Sequence, residues 1–258
     1  MLRSLAIAFS MYSKIPMPQF EWKDKNLKYS LCFFPLIGVV IGACVLGFGW
    51  IAEKTQLPLM FRAIVFTVLP VVITGGIHMD GYCDTVDALA SYQSREKRLE
   101  ILKDPHIGAF ACIRCGIYYL LQVGVFCLLS EKDYADGTFF VMIGMVYVIS
   151  RALSGLAGIT FRNAKKEGSL FQFTSAAHKG VVLCSLIGFL AAANLILIML
   201  SWITGILMCL AEGGFFFYYY VMSKRKFGGI TGDLEGWFLQ CMELLLLYVC
   251  IGIHFVGV

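Results

Sequence analysis

Three aspartates stand at helical spacing shortly after a long apolar segment. Asp80, Asp84 and Asp87 follow the pattern i, i+4, i+7, which places them within an arc of about 60° on an α-helix. Like charges at this spacing repel each other, and the nearest following base is Arg95. A divalent cation relieves the repulsion, and oxygen ligands favour Mg²⁺ or Mn²⁺ over zinc. The alternative is a solvated acidic helix face, for which neighbouring basic partners are expected.

A magnesium site at these aspartates predicts a substrate that carries phosphate. Protein-bound Mg²⁺ is usually held by one or two carboxylates together with substrate phosphates. Lys103 is a candidate for gripping phosphate. Arg114 and Arg151 lie inside apolar segments, where an unpaired charge costs several kcal/mol. We therefore expect both arginines to face the interior of the helix bundle and to reach toward phosphate or the aspartates.

A glycine-rich segment near the end of the chain is a second candidate site. It runs from Gly228 to Asp233 and contains Gly229, Thr231 and Gly232. Glycine backbone can approach a ligand closely and can form an anion-binding nest. Asp233 offers a fourth carboxylate, either as a further metal ligand or as a general base. An ordinary loop before the last apolar segment is the alternative.

The remaining candidates are one histidine and two lysines. His78 precedes Asp80 by two residues, and it either binds phosphate or metal or is a structural cap. Lys165 and Lys166 either hold an anionic nucleotide or only fix the orientation of the chain in a membrane. No phosphate-binding P-loop or zinc-protease motif is present, and nothing beyond loop lysines supports binding of nucleic acid.

The composition indicates the scaffold that positions these residues. Of the 258 residues, 59% are hydrophobic and 15% are charged, with a mean hydropathy of +0.78, whereas soluble domains carry about 25% charged residues. We predict an all-α, polytopic membrane helix bundle with about seven transmembrane helices. The predicted spans are 31–51, 59–77, 107–129, 138–160, 181–200, 202–222 and 237–257.

The loops alternate in basic charge. Lys and Arg concentrate before the first span and in every second loop, while the intervening loops hold only Lys54 and Lys132. This pattern predicts a cytoplasmic N-terminus and, with seven spans, an external C-terminus. Residues 1–16 predict an interfacial helix. The candidate aspartates, Lys165 and Lys166 lie in the predicted cytoplasmic segments, so the site is expected to face the cytoplasm.

Three blocks in order resemble one enzyme family. The blocks are residues 78–87, 103–108 and 228–236, and Lys14 begins a further short match. Together they resemble cobalamin-5′-phosphate synthase, also called adenosylcobinamide-GDP ribazoletransferase, over essentially the whole chain. The family usually has Arg at the positions of Lys14 and His106, whereas the carboxylates and glycines are kept.

The resemblance implies a Mg²⁺-dependent transferase in the cell inner membrane, formed as a single domain over residues 1–258. It implies that adenosylcobinamide-GDP reacts with α-ribazole or its 5′-phosphate to give adenosylcobalamin or its 5′-phosphate and GMP. The expected partners are these small molecules and membrane lipid, with a homo-oligomer left open. The assigned residues are, for metal, Asp80, Asp84, Asp87 and Asp233; for catalysis, Asp84, Asp233, Lys103 and Arg114; for substrate, His78, Lys14, Arg151, Lys165, Lys166, Gly229, Thr231 and Gly232.

Two other functions stay open at this point. A CDP-alcohol phosphotransferase also begins its motif with Asp-Gly, but here Asp84 and Thr85 occupy the places of its Ala-Arg pair. A cation transporter could use the aspartates and the arginines within the spans. Transporter sites normally lie near the bilayer midplane, whereas these aspartates are predicted at the cytoplasmic edge, which favours a transferase.

Overall fold

The computed structural model describes residues 1–129 and 137–256. Within these residues the chain is helical, and the β-type pairing is an isolated bridge between Asn163 and Ile230. The predicted all-α class is therefore confirmed. The helices are α1 Leu2–Tyr12, α2 Asp24–Leu27, α3 Phe34–Thr55, α4 Leu59–Thr74, α5 Ile77–Ala90, α6 Arg95–Ile101, α7 Ala109–Phe126, α8 Gly137–Thr160, α9 Ser169–Ala176, α10 Lys179–Leu200, α11 Trp202–Lys226 and α12 Gly232–Val256.

Most of the long helices are able to cross a membrane. Among the described residues, six helical stretches are long and apolar enough, and a seventh is added if α4 and α5 together form one span. The first of the six joins α2, a short 3₁₀ turn and α3. The predicted multi-pass bundle is thereby confirmed. The orientation of the N-terminus and the interfacial position of α1 stay predictions.

The chain bends sharply between α4 and α5. The two helices meet at 97°, and Gly75 and Gly76 connect them with φ angles of 68° and 79°. Glycine adopts this left-handed conformation without the strain that a Cβ atom brings. The predicted span 59–77 therefore ends at Thr74, and the aspartates lie on a separate helix that turns away from it.

Helix α8 is the centre of the bundle and is packed by α3, α10 and α12. In the most apolar stretch of 18 residues within α8, 83% of the residues are buried inside the bundle. Small residues bring α3 close to it, because a Cβ atom at Gly38 would lie 2.3 Å from the carbonyl oxygen of Tyr147. Close helix contact through small residues is a common way of packing in membranes. This packing fixes α8, and α8 in turn supports α12.

Candidate active site

The candidate site forms where α5 crosses α12. A Cβ atom at Gly81 would lie 2.8 Å from the Cα atom of Asp233, and one at Gly236 would lie 2.8 Å from the carbonyl oxygen of His78. Glycine at these two positions lets the helix backbones approach each other. As a result, Asp84 lies within electrostatic reach of Asp80, Asp233 and Asp87. The structure thus brings the fourth carboxylate beside the three that the sequence had already grouped.

Asp87 has a partner that the sequence did not predict. Its Oδ2 accepts a hydrogen bond of 2.7 Å from the backbone N–H of Gly108, and its Oδ1 accepts one of 2.9 Å from that of Ala111. These donors belong to the N-terminus of α7, which attracts negative charge. A Cβ atom at residue 108 would lie 2.6 Å from the carboxylate, so glycine makes room for this cap. Asp87 therefore joins α5 to α7, and a metal-binding role for it stays a prediction.

The donor chemistry of the cluster suits a hard divalent cation. In the described part of the chain, no three His, Cys, Asp or Glu side chains converge closely enough to hold a metal ion by themselves. Mg²⁺ rarely uses such a closed protein cage, because it keeps waters and is completed by substrate phosphates. The oxygens of Asp80, Asp84 and Asp233 fit that mode of binding.

Three neighbouring spaces meet at these carboxylates. We call them the inner cavity, of about 120 Å³, the lysine cavity, of about 340 Å³, and the outer groove, of about 450 Å³. Asp233 lines both the inner cavity and the lysine cavity. Asp80 lines both the inner cavity and the outer groove, which Asp84 also lines. The acidic cluster is therefore reached from three sides.

The lysine cavity is the candidate anion site. Lys103 forms an ion pair of 2.7 Å with Glu167 at its rim. The Nζ atom of Lys165 donates to the carbonyl oxygen of Leu99 at 3.0 Å. Burial, and then the charge of Lys103, lower the pKa of Lys165, which is the expected result of placing two cations beside one space. Lys166 is exposed and does not line this cavity.

The two ends of the glycine-rich segment 228–233 have different surroundings: the first end packs against backbone, and the second lines the lysine cavity. Gly229 has a φ of 153°, and its close contact is with the backbone at Arg162, because a Cβ atom there would lie 2.3 Å from that carbonyl oxygen. This contact alone requires glycine at position 229, and the approach of a ligand to Gly229 stays a prediction. Thr231 and Gly232 do line the lysine cavity. The Oγ1 atom of Thr231 accepts a hydrogen bond from the backbone N–H of Leu234 at 3.3 Å and so caps α12.

Arg114 requires a correction. We predicted that it faces the bundle interior, but its side chain is exposed. Among the described residues it forms no ion pair with an acidic side chain. The buried positions of α7 include Ala111 and Tyr118, which are three residues before and four residues after Arg114. Arg114 therefore lies at the edge of the buried face, and its side chain extends out of the bundle. A catalytic role for Arg114 stays a prediction.

Arg151 does face the interior, but its partner is another residue of the bundle. Its Nη1 atom lies 2.6 Å from the Oε1 atom of Glu243, and both side chains are almost completely buried. The same nitrogen donates to Ser150 at 3.3 Å and to the carbonyl oxygen of Tyr147 at 3.0 Å. The sequence signal for this pair is the presence of Glu243 within the last apolar segment. Binding of the diphosphate by Arg151 stays a prediction.

Lys14 and His78 lie on different sides of the bend before α5. The stem of Lys14 passes over Gly75, and its backbone N–H donates to the carbonyl oxygen of Ile73 at 2.8 Å. The side chain of Lys14 is exposed near the outer groove. His78 is buried and lines the inner cavity. The structure therefore separates these two candidate substrate residues.

Comparison with known proteins identifies close relatives along nearly the full chain. The family model described as cobalamin-5-phosphate synthase matches residues 4–251. A protein named adenosylcobinamide-GDP ribazoletransferase from Lachnoclostridium phytofermentans is 46% identical over 95% of this chain and 91% of its own length. Proteins of the same name from Clostridium perfringens strain 13 and Fusobacterium nucleatum are 31% and 30% identical, over 93% and 99% of this chain and 94% and 100% of their own lengths. No solved structure matches the chain.

Proposed function

The chain belongs to the cobalamin-5-phosphate synthase family, and from this premise we propose that it joins adenosylcobinamide-GDP to α-ribazole or its 5′-phosphate with release of GMP. The observation that carries the proposal is the crossing of α5 and α12. It places Asp233 beside Asp80 and Asp84, next to a cavity lined by Lys103 and Lys165. Transfer of a phosphate-bearing group from a diphosphate to a hydroxyl group requires acidic groups next to a space that binds anions.

The proposed reaction forms one phosphorus–oxygen bond and breaks another. A ribose hydroxyl of the acceptor attacks a phosphorus of the diphosphate, and GMP leaves with the bridging oxygen. Catalysis then depends on positioning the two substrates and on neutralising charge. Lys103 and Lys165 hold phosphate oxygens. Asp233 takes the proton of the attacking hydroxyl, since it lies between the inner cavity and the lysine cavity.

Magnesium is part of this proposal. Asp80 and Asp84 would hold the ion, which when bound would neutralise charge on the diphosphate oxygens. Asp233 lies on the facing helix, where its charge acts on Asp84, and it would add to the negative field that attracts the cation. The support is the oxygen-only donor chemistry of the crossing and the absence of a basic side chain in ion-pair contact with these carboxylates among the described residues.

We further propose that the protein lies in the cytoplasmic membrane with this site toward the cytoplasm. The basic residues of alternate loops support this orientation. The comparisons favour neither the CDP-alcohol phosphotransferase nor the cation transporter, since the matched family is a different one. The CDP-alcohol phosphotransferase serves as the alternative in the test that follows.

The test is GMP release by the purified protein in detergent. We expect release with adenosylcobinamide-GDP and α-ribazole 5′-phosphate together, and none when either substrate is omitted. A parallel reaction contains a CDP-alcohol and a lipid alcohol, and we expect no CMP from it. Release of CMP by a folded protein that gives no GMP would overturn the proposal in favour of the phosphotransferase.

A further inference from the structure

The inner cavity contains a buried histidine without a partner. His78 is 5% exposed, and neither of its ring nitrogens has a hydrogen-bond partner among the described residues. Leaving a buried polar group unpaired costs free energy, so such a group in the wall of a cavity points to a ligand that supplies the missing bond. The steps of the proposed reaction do not say which part of a substrate this cavity binds.

The walls of the inner cavity are suited to a flat aromatic ring. The ring of His78 lies nearly parallel to that of Tyr12, with centroids 6.1 Å apart and planes 9° apart. The ring of Phe34 lies 5.8 Å from that of His78 and 4.4 Å from that of Tyr12. Met11, Leu31 and Leu170 add apolar surface. Aromatic rings pack well in such surroundings, in stacked or edge-on geometry.

The polar part of the cavity consists mainly of hydrogen-bond acceptors. Glu235 is buried, and it is held by Ser154 at 2.6 Å and by Tyr219 at 3.1 Å. Asp80 and Asp233 complete the acidic lining, and no Lys or Arg lines the cavity. Carboxylates accept hydrogen bonds from hydroxyl groups, but they repel phosphate. The cavity therefore suits the uncharged part of a substrate that carries hydroxyl donors.

We propose that the inner cavity holds the aromatic base of the acceptor nucleoside, packed against Tyr12, His78 and Phe34. The inference rests on the proposed function and assigns the acceptor's position within that site. The inner cavity is the smallest of the three spaces, so it suits a single aromatic base better than a macrocycle of the size of a corrin. A ring N–H of His78 donates to the free ring nitrogen of the base.

Guanine is the competing occupant, because the donor substrate carries it. Guanine needs a donor for its carbonyl oxygen and acceptors for its N1–H and amino groups. Among the carboxylates of the cavity, Asp80 is assigned to metal and Asp233 to the attacking hydroxyl, and both oxygens of Glu235 already accept hydrogen bonds from Ser154 and Tyr219. The methyl-bearing benzimidazole of α-ribazole places apolar edges against Met11 and Leu31 instead. With the base in this position, the ribose hydroxyls lie toward Asp233 and Asp80, where the cavity meets the lysine cavity and the outer groove.

The first test uses the wild-type protein with free 5,6-dimethylbenzimidazole as the probe. We expect this base to inhibit GMP release competitively with α-ribazole 5′-phosphate and not with adenosylcobinamide-GDP. Competition with adenosylcobinamide-GDP would overturn the inference, because it would place guanine in the inner cavity. Absence of inhibition at concentrations far above the KM for α-ribazole 5′-phosphate would also overturn it.

The second test is His78→Phe, which keeps a stacked ring and removes both nitrogens. We expect the KM for α-ribazole 5′-phosphate to rise about tenfold through the lost hydrogen bond, with the KM for adenosylcobinamide-GDP unchanged. His178→Phe is the matched control, since His178 also lies 6.1 Å from a tyrosine ring, that of Tyr29, but is exposed and does not line the inner cavity. We expect both KM values of the control to stay at the wild-type level.

The outcomes separate this inference from the proposed function. A wild-type protein that releases no GMP overturns the proposed function, and the inference with it. A wild-type protein of normal activity whose His78→Phe variant changes only the KM for adenosylcobinamide-GDP, or neither KM, overturns the inference alone. A thermal unfolding curve shows whether each variant is folded, and the inhibition experiment decides the question if His78→Phe is not.

Discussion

The three aspartates of α5 have different surroundings although their spacing is regular. Asp80 and Asp84 open toward the outer groove, whereas both oxygens of Asp87 accept hydrogen bonds from the N-terminus of α7. A carboxylate in that position also interacts favourably with the helix dipole. The stabilising contribution of Asp87 to the fold can therefore be measured separately from catalysis.

We expect Asp87→Ala to lower the free energy of unfolding by about 1–2 kcal/mol, as loss of a helix cap does. Asp87→Asn keeps one acceptor oxygen and is expected to lose less. Thermal unfolding in detergent measures both changes, with the exposed Asp24→Asn as the control. An Asp87→Ala protein as stable as the wild type, but without GMP release, would show that Asp87 acts only in the reaction.

Variants of the buried pair Arg151 and Glu243 separate a role in stability from a role in substrate binding. Removing one member of a buried ion pair leaves an uncompensated charge and costs about 3–5 kcal/mol. We expect this loss for Glu243→Gln, and we expect the double variant Arg151→Met, Glu243→Leu to recover most of it. Unfolding curves give the comparison.

A different result would restore the role that the sequence suggested for Arg151. If Glu243→Gln is as stable as the wild type and instead raises the KM for adenosylcobinamide-GDP, Arg151 binds the diphosphate. The position of Arg151 within an apolar segment predicted that it faces inward, because a charge there avoids lipid. It could not predict the partner, since Glu243 lies on a different helix and comes beside Arg151 only when α8 and α12 pack.

The helices themselves were predictable because apolar segments of membrane length are a local property of the chain. Ser201 ends α10 and caps α11, as the break between the fifth and sixth predicted spans suggested. The crossing of α5 and α12 was not predictable in this way. It depends on Gly81 and Gly236, which are far apart in the sequence and show their purpose only where the backbones meet.

Gly81→Ala tests that crossing. The new Cβ atom would lie 2.8 Å from backbone atoms of Asp233, so the helices must separate. We expect a loss of stability of about 1–3 kcal/mol, as overpacking causes, together with a large fall in GMP release. Gly116→Ala is the control, because nothing lies within 4 Å of its Cβ position. Wild-type activity in Gly81→Ala would show that the close approach of α5 and α12 is dispensable.

The path of the whole chain through the membrane depends on the bent pair α4 and α5. If the pair counts as one crossing, the described residues contain seven candidate spans; otherwise they contain six. The alternating basic loops favour seven, with the N-terminus in the cytoplasm and the C-terminus outside. The sequence pattern supplies this expectation, while the 97° bend of the structure raises the alternative.

Reporter fusions after the last residue distinguish the two paths. We expect alkaline phosphatase joined to the C-terminus to be active, because this enzyme works only outside the cytoplasm. Green fluorescent protein joined at the same place is expected to be dark. Fluorescent protein joined to the N-terminus is expected to be bright. A bright C-terminal fusion would show an even number of spans, and α4 with α5 would then not cross the membrane.

We propose that carboxylates of α5 and α12 form one magnesium-dependent transferase site. The most direct measurement is the rate of GMP release against Mg²⁺ concentration for the wild type, Asp84→Asn, Asp233→Asn and the control Asp24→Asn. We expect EDTA to abolish release by the wild type, both site variants to fall about 100-fold or more at saturating Mg²⁺, and the control to match the wild type. Release that is indifferent to EDTA, or that persists at the wild-type rate in both site variants, would contradict the account.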